Sequence, residues 1–152
     1  MPHITLHTLI TADQATVFDL ARSIDLHTTS LEHTNERAIA GRTSGLIELG
    51  ESVTWRARHF GIYQTLTAVV TEMDRPHYFV DEMQEGVFAR FRHRHSFVQR
   101  GAQTIMTDTF DYTAPLGPLG RLADWLFLTT YMRRLLEQRN VHLKAQAEAA
   151  VK

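Results

Sequence analysis

Residues 88–97 read Phe88-Ala89-Arg90-Phe91-Arg92-His93-Arg94-His95-Ser96-Phe97. Side chains on a β-strand alternate between two faces. Arg90, Arg92 and Arg94 therefore share one face, and Phe91, His93, His95 and Phe97 share the other. Three arginines on successive same-face positions belong in water, so the Phe-His-His-Phe face turns inward. A strand wet on one side and packed on the other is the habit of antiparallel sheets.

The same period of two runs outward from this stretch, from about residue 35 to 115. Strands are expected over 36–40, 52–60, 63–73, 78–84, 88–99 and 104–113, with a first strand over 3–9. The breaks at Gly61-Ile62, Asp74-Arg75-Pro76, Glu85-Gly86 and Arg100-Gly101-Ala102 are turn chemistry at hairpin length. Breaks this short make neighbours antiparallel, because a parallel crossover needs a dozen or more residues. The connection over 41–51, with Gly41, Gly45 and Gly50, is longer.

Helical periods flank this meander. Thr11-Ala12-Asp13-Gln14 has the spacing of a capping box, and Val17, Phe18 and Ala21 form an apolar stripe behind it. A second short helix is expected near 23–31. After Pro115-Leu116-Gly117-Pro118 the chain turns to helix formers, and 119–149 is expected to be mainly one helix. Its first half is apolar almost all round (Leu122, Trp125, Leu126, Phe127, Tyr131, Met132). One sheet buries only one side of such a helix, so the remainder calls for a second layer, a ligand or a partner chain. Helices segregated on one face of an antiparallel sheet make an α+β domain. A curved sheet around one long helix leaves a cavity between them.

The 152 residues are expected to form a single domain spanning 1–152. Lys and Arg number 16 against 17 Asp and Glu, a net charge of −1, which speaks against nucleic acid as a partner. With no cysteine, disulfides, thiol nucleophiles and cysteine-based metal sites are excluded. The start, MPHITLHTLITADQ, lacks a basic region and an apolar run, and no run of 18 apolar residues occurs, so neither a signal peptide nor an integral membrane segment is expected. The expected location is the cytoplasm, and the oligomeric state is left as monomer or homodimer.

Alternation sorts the other strands. Val53, Trp55, Ala57 and His59 face in, while Arg56 and Arg58 face out. Phe79, Asp81 and Met83 face in, as do Met106, Asp108, Phe110 and Tyr112. Four strands thus each put a polar residue on an apolar face: His59, Asp81, His93 with His95, and Asp108. The meander sets the strand of His93 and His95 between those of Asp81 and Asp108. Buried polar groups are costly unless paired. The cluster is either a structural network or a polar patch that orients a ligand or exchanges protons with it. His93, His95, Asp81 and Asp108 are the candidate catalytic residues. The candidate ligand-binding walls are Trp55, His59, Phe79, Phe91, Phe97, Met106, Phe110 and Tyr112 from the sheet. Trp125 or Leu126, Thr129 and Met132 would join them from the helix.

Three other motifs carry less. Gly41-Arg42-Thr43-Ser44-Gly45 lacks the Lys-Ser/Thr of a phosphate loop and reads as a turn. His93 and His95 could ligate a metal with Asp81, Asp108 or His59, but no metal and no cofactor are expected. No serine-hydrolase turn is present.

The segments TNERAIAGRTSGLIELGESVTWRARHFGI, DRPHYFVDEMQEGVFARFRHRHSF and MTDTFDYTAPLGPLGRLADWLFLTTYMRRLLEQRN, with the element order, give the chain a resemblance to the START-like (SRPBCC) superfamily. This is the polyketide cyclase/dehydrase-like and birch-pollen-allergen-like group. The resemblance implies a helix-grip fold: a seven-stranded antiparallel sheet wrapped around a long C-terminal helix, with two short helices after strand 1. It also implies a deep cavity for hydrophobic or amphipathic molecules. It supplies no reaction, because the superfamily has no shared catalytic motif. The expected function is binding of a small hydrophobic or amphipathic ligand, lipid-like or polycyclic aromatic. The alternatives are a cyclase, dehydratase or lyase using His/Asp acid-base chemistry in the same cavity, and an interaction module whose apolar helix serves assembly.

Overall fold

The computed structural model describes residues 2–151. The chain runs β1 (His3–Ile10), α1 (Gln14–Ala21), α2 (Ile24–Ser30), a 3-10 turn (Glu32–Thr34), then β2 (Arg37–Gly41), β3 (Ser52–His59), β4 (Ile62–Asp74), β5 (Tyr78–Gly86), β6 (Arg90–Arg100) and β7 (Gln103–Thr113). It ends in α3 (Pro118–Ala123), a π-helical turn (Asp124–Leu128) and α4 (Thr129–Val151). The seven strands form one antiparallel sheet in the order β1-β7-β6-β5-β4-β3-β2. Hairpins place each strand from β2 to β7 beside the next. Only β1 is set apart in sequence from its neighbour, and it closes on β7 at the far edge.

The sheet curves because its ladders slip. Register shifts occur at Ala38/Ala40 in β2 and at Thr67/Ala68 and Val70/Glu72 in β4. Each extra residue bends its strand and increases the twist. At the end of β2, Gly41 has φ +73°, and a Cβ there would lie 2.3 Å from the carbonyl oxygen of Ser52, so the β2–β3 approach admits only glycine.

Helix α1 starts later than the capping-box spacing implies. Asp13, not Thr11, caps it: the Asp13 carboxyl accepts from the Thr16 N–H at 3.1 Å. The Thr11 N–H donates instead to Glu148 of α4 at 2.9 Å, tying the two helices together. Val17 and Phe18 of α1 pack with Phe79, Phe97, Met106 and Leu143 in the main core. A second cluster joins Ile4, Phe91, Phe110, Tyr112 and Leu136. A third, with Ile24, Ile47, Val53 and Val70, closes the sheet end under α2 and the β2–β3 loop.

The C-terminal segment is the long helix expected, with a π turn inside it. Tyr112 donates its hydroxyl to Asp124 at 2.8 Å and lies 3.0 Å from the Thr129 hydroxyl, so β7 grips both ends of the π turn. Beyond it, Leu135, Leu136, Arg139, Asn140, Leu143 and Ala147 form the buried stripe of α4. The early apolar circumference is not covered: Leu119, Leu122 and Leu126 are exposed, and Trp125 is 81% exposed. Among the described residues, no helix is long and apolar enough to cross a membrane.

Candidate functional site

The β6 alternation emerges as two faces. His93 and His95 are buried, at 5% and 3% exposure, while Arg92 and Arg94 lie toward the outer surface. Arg92 pairs with Glu72 at 2.9 Å, and the Arg94 guanidinium sits 4.2 Å from the centre of the Tyr78 ring.

On the inner face, register sets Asp81 opposite His93 and Asp108 opposite His95. The side chains bond along the diagonals instead. His93 Nε2 lies 2.8 Å from Asp108 Oδ1, and His95 Nε2 lies 2.7 Å from Asp81 Oδ1. Diagonal partners are within reach of long side chains on a twisted sheet. The two imidazoles stack with centres 3.7 Å apart, and Phe79 stacks on the far side of His95 at 4.2 Å.

Two residues of α4 complete the cluster, and neither was among the sequence-derived candidates. Arg139 Nη2 donates to Asp108 Oδ1 at 2.5 Å, and Asn140 Nδ2 donates to Asp108 Oδ2 at 2.8 Å. Asn140 Oδ1 in turn accepts from Arg139 Nε at 3.1 Å. The available signal was spacing: Arg139 and Asn140 fall on the same helical stripe as Leu135, Leu136 and Leu143. A charged residue on a core stripe announces a buried partner.

Groups of both charge signs meet in the cluster. Burial pushes the Asp108 carboxyl up, but the Arg139 charge and the bonds from His93 and His95 outweigh it and hold Asp108 well below the usual carboxylate range. Burial acts likewise on Asp81, and the bond from His95 overcomes it, so its pKa is lowered. Burial, then the neighbouring His95, pushes His93 down to about 4. Burial disfavours a charged His95, yet the bonds to Asp108 and Asp81 raise its pKa. The two carboxylates thus favour their ionised form and His93 its neutral form, while His95 holds its proton more firmly than a free imidazole. When His95 is protonated, its Nδ1–H points to Asp108 Oδ1 at 3.3 Å. The 3.5 Å approach of Arg139 Nη1 to His95 Nδ1 is a hydrogen bond only when His95 is neutral.

Asp81, His93 and His95 also bring three ligand atoms within 4.8 Å of one another. This set could hold a cation by spacing alone, but the fixed charge of Arg139 beside it opposes a divalent ion.

Between sheet and α4 lies a cavity of about 330 Å³. Trp55, His59, Phe91, Phe110 and Met132 line it, with Asp81, His93 and Arg139 on its inner wall. A smaller space of about 70 Å³ borders the same cluster and is lined by Phe79, His95 and Val53. Trp55, Asp81, His93 and Arg139 border both.

Six of the expected wall residues go elsewhere. Phe97 and Met106 are consumed by the core around Phe18, at 2% and 0% exposure. Tyr112 and Thr129 bond each other at the π turn. Trp125 and Leu126, both within the π turn, are exposed, at 81% and 59%. The cavity adds residues that alternation did not supply: Glu36, just before β2, Phe88 in the β5–β6 turn, and Tyr131 and Leu136 on the helix. His59 Nδ1 meets the Tyr131 hydroxyl at 2.6 Å.

A family model described as polyketide cyclase / dehydrase and lipid transport matches residues 1–148. Among solved structures, a protein from Thermus thermophilus is 20% identical, with a TM-score of 0.80 over 99% of this chain and 100% of that one. A START superfamily protein from Mycobacterium smegmatis is 14% identical, with a TM-score of 0.74 over 97% of this chain and 98% of that one. A major latex-like protein from Panax ginseng is 14% identical, with a TM-score of 0.65 over 96% of this chain and 97% of that one. At such identities the likeness shows the helix-grip fold. No curated protein matches the sequence.

Proposed function

Because this chain belongs to the polyketide cyclase / dehydrase and lipid transport family, we propose that it binds a small hydrophobic or amphipathic molecule between its sheet and C-terminal helix. The observation that carries this reading is the cavity of about 330 Å³, apolar over most of its wall and polar at its inner end. An apolar enclosure with a few convergent polar groups is the usual form of a small-molecule site. The apolar wall supplies affinity. Arg139 and His93 orient whichever polar group reaches the inner end.

Acid-base catalysis of a cyclase, dehydratase or lyase type is the second reading. In its favour, two His–Asp pairs border the cavity. Against it, His93, the imidazole of the two His–Asp pairs that borders the larger cavity, is pushed down to about 4. A general base works best with a pKa near the operating pH. His95 keeps both nitrogens engaged with carboxylates. The balance favours binding.

Native mass spectrometry of freshly purified protein, followed by organic extraction, tests the proposal. The expected result is an excess mass that extraction releases as an apolar compound. Ala57 lines the cavity at 4% exposure, so Ala57→Phe fills the space and should remove that mass while far-UV circular dichroism stays native. An Ala57→Phe protein that still carries the compound would count against this cavity.

A further inference from the structure

The end of the cavity away from the His/Asp cluster has a polar group of its own. Glu36 lies at the entry to β2 and lines the cavity with only 7% of its side chain exposed. Its Oε1 is the one buried side-chain oxygen or nitrogen among the described residues that lacks a hydrogen bond. His27 Nε2 is 2.9 Å away, close enough to pair with Oε1 when protonated but not aligned as a hydrogen bond, and the His27 ring tilts onto Trp55 with centres 4.4 Å apart. A buried acceptor without a donor is costly, and native proteins seldom leave one without a reason.

His59 stands at the same end and lies close enough to Glu36 to feel its charge. Burial disfavours its charged form. In a neutral imidazole one nitrogen accepts and the other donates. We assign the tautomer in which Nδ1 accepts from the Tyr131 hydroxyl, 2.6 Å away, and the proton sits on Nε2. That N–H has no acceptor among the described residues. The pole therefore presents one unsatisfied acceptor, Glu36 Oε1, and one unsatisfied donor, His59 Nε2–H. A hydroxyl group satisfies both at once. An ammonium would leave the His59 donor unmet, and a ketone or ether would leave the Glu36 acceptor unmet.

At the other end the unspent capacity differs. Arg139 Nη1 makes only the long 3.5 Å approach to His95 and borders the cavity, so it offers N–H groups to an acceptor. Trp55, which borders both cavities, is four strand residues from His59, about 13 Å at the rise of an extended chain.

We propose that Glu36 and His59 form a hydroxyl-binding pole. The ligand class is then an elongated apolar molecule with an alcohol or phenol at one end and a carbonyl-type acceptor at the other, directed to Arg139. This inference rests on the ligand-binding reading above and specifies its ligand.

The test uses an acetylnaphthol, with hydroxyl and acetyl groups at opposite ends of the ring pair, and its methyl ether. Both are titrated into the full chain by fluorescence, with anilinonaphthalene sulfonate as a general apolar probe. The ether carries one more apolar carbon, so burial alone makes it the tighter binder. The expected result is the opposite: the naphthol binds at least tenfold tighter, about 1.4 kcal/mol. In Glu36→Met the preference disappears and the ether binds as well as before or better. Equal or reversed preference in the unmodified chain overturns the hydroxyl pole without any variant. So does binding of anilinonaphthalene sulfonate with neither naphthalene bound, and in both cases the ligand-binding reading survives. If none of the three probes binds, both fail.

Discussion

Asp108 is the residue on which the inner cluster turns. It is fully buried and accepts from His93, Arg139 and Asn140, with His95 close by. Asp108→Asn keeps the shape but removes the charge that balances Arg139. Breaking a buried pair on one side costs about 3–5 kcal/mol. At roughly 2–4 °C per kcal/mol for a chain of this size, calorimetry should show Tm falling on the order of 10 °C. The pH dependence follows from His93. Its folded pKa of about 4 lies below the ordinary 6.5, so between these values the unfolded chain binds one more proton and stability rises with pH. Acidification from 6.5 toward 4 should therefore remove on the order of 3 kcal/mol, and the lowered Asp81 and Asp108 add their losses below about pH 4. His95, raised, works in reverse: its contribution is full below 6.5 and fades as pH climbs through its folded pKa. His93→Gln should flatten the acid limb of a plot of Tm against pH. Strand alternation made the inward facing of these groups legible, because the period of two leaves no third choice. The diagonal pairing was not legible, since it depends on twist that no local pattern encodes.

At the scale of elements, the meander and the long C-terminal helix were readable, and the π turn inside that helix was not. Short turns fix strand order, and alternating residues fix faces. A helical period, by contrast, does not reveal where a helix adds a residue to its turn. The π turn over Asp124–Leu128 is held by a long-range tether: Tyr112, from β7, binds Asp124 at its start and Thr129 just after it. Tyr112→Phe removes both bonds and leaves the ring packed. A cost of about 1–2 kcal/mol is expected, concentrated locally, so amide exchange should accelerate in 118–129 and remain slow in β6 and β7. Gly120 gives the complementary test. A Cβ there would meet the Pro115 carbonyl oxygen at 2.1 Å. Gly120→Ala should push α3 off the end of β7 and destabilise the chain despite alanine's better helix propensity. Arg139 and Asn140 escaped sequence reading for a related reason: on a stripe of leucines they look like interruptions, and only the carboxylate across the gap explains them.

At the scale of the whole molecule, the grip holds a cavity against the sheet, and the start of the C-terminal helical segment, next to that cavity, leaves apolar surface open. The two tryptophans report these regions separately. Trp55 borders both cavities and packs against His27, whereas Trp125 is 81% exposed. Emission from the unmodified chain should be a sum of a blue component from Trp55 and a red component from Trp125, and iodide should quench only the red one. Trp125→Phe should leave a blue-shifted, iodide-resistant spectrum that still changes when acetylnaphthol enters the cavity. Trp55→Phe should leave a red-shifted, iodide-sensitive spectrum blind to the same probe. Should the Trp55→Phe protein respond to the probe as strongly as the Trp125→Phe protein, the occupant would be settling on the exposed apolar end of the helix. The enclosed space beside the His/Asp cluster would then lose its claim as the binding site, while the sheet and its grip on α4 would stand.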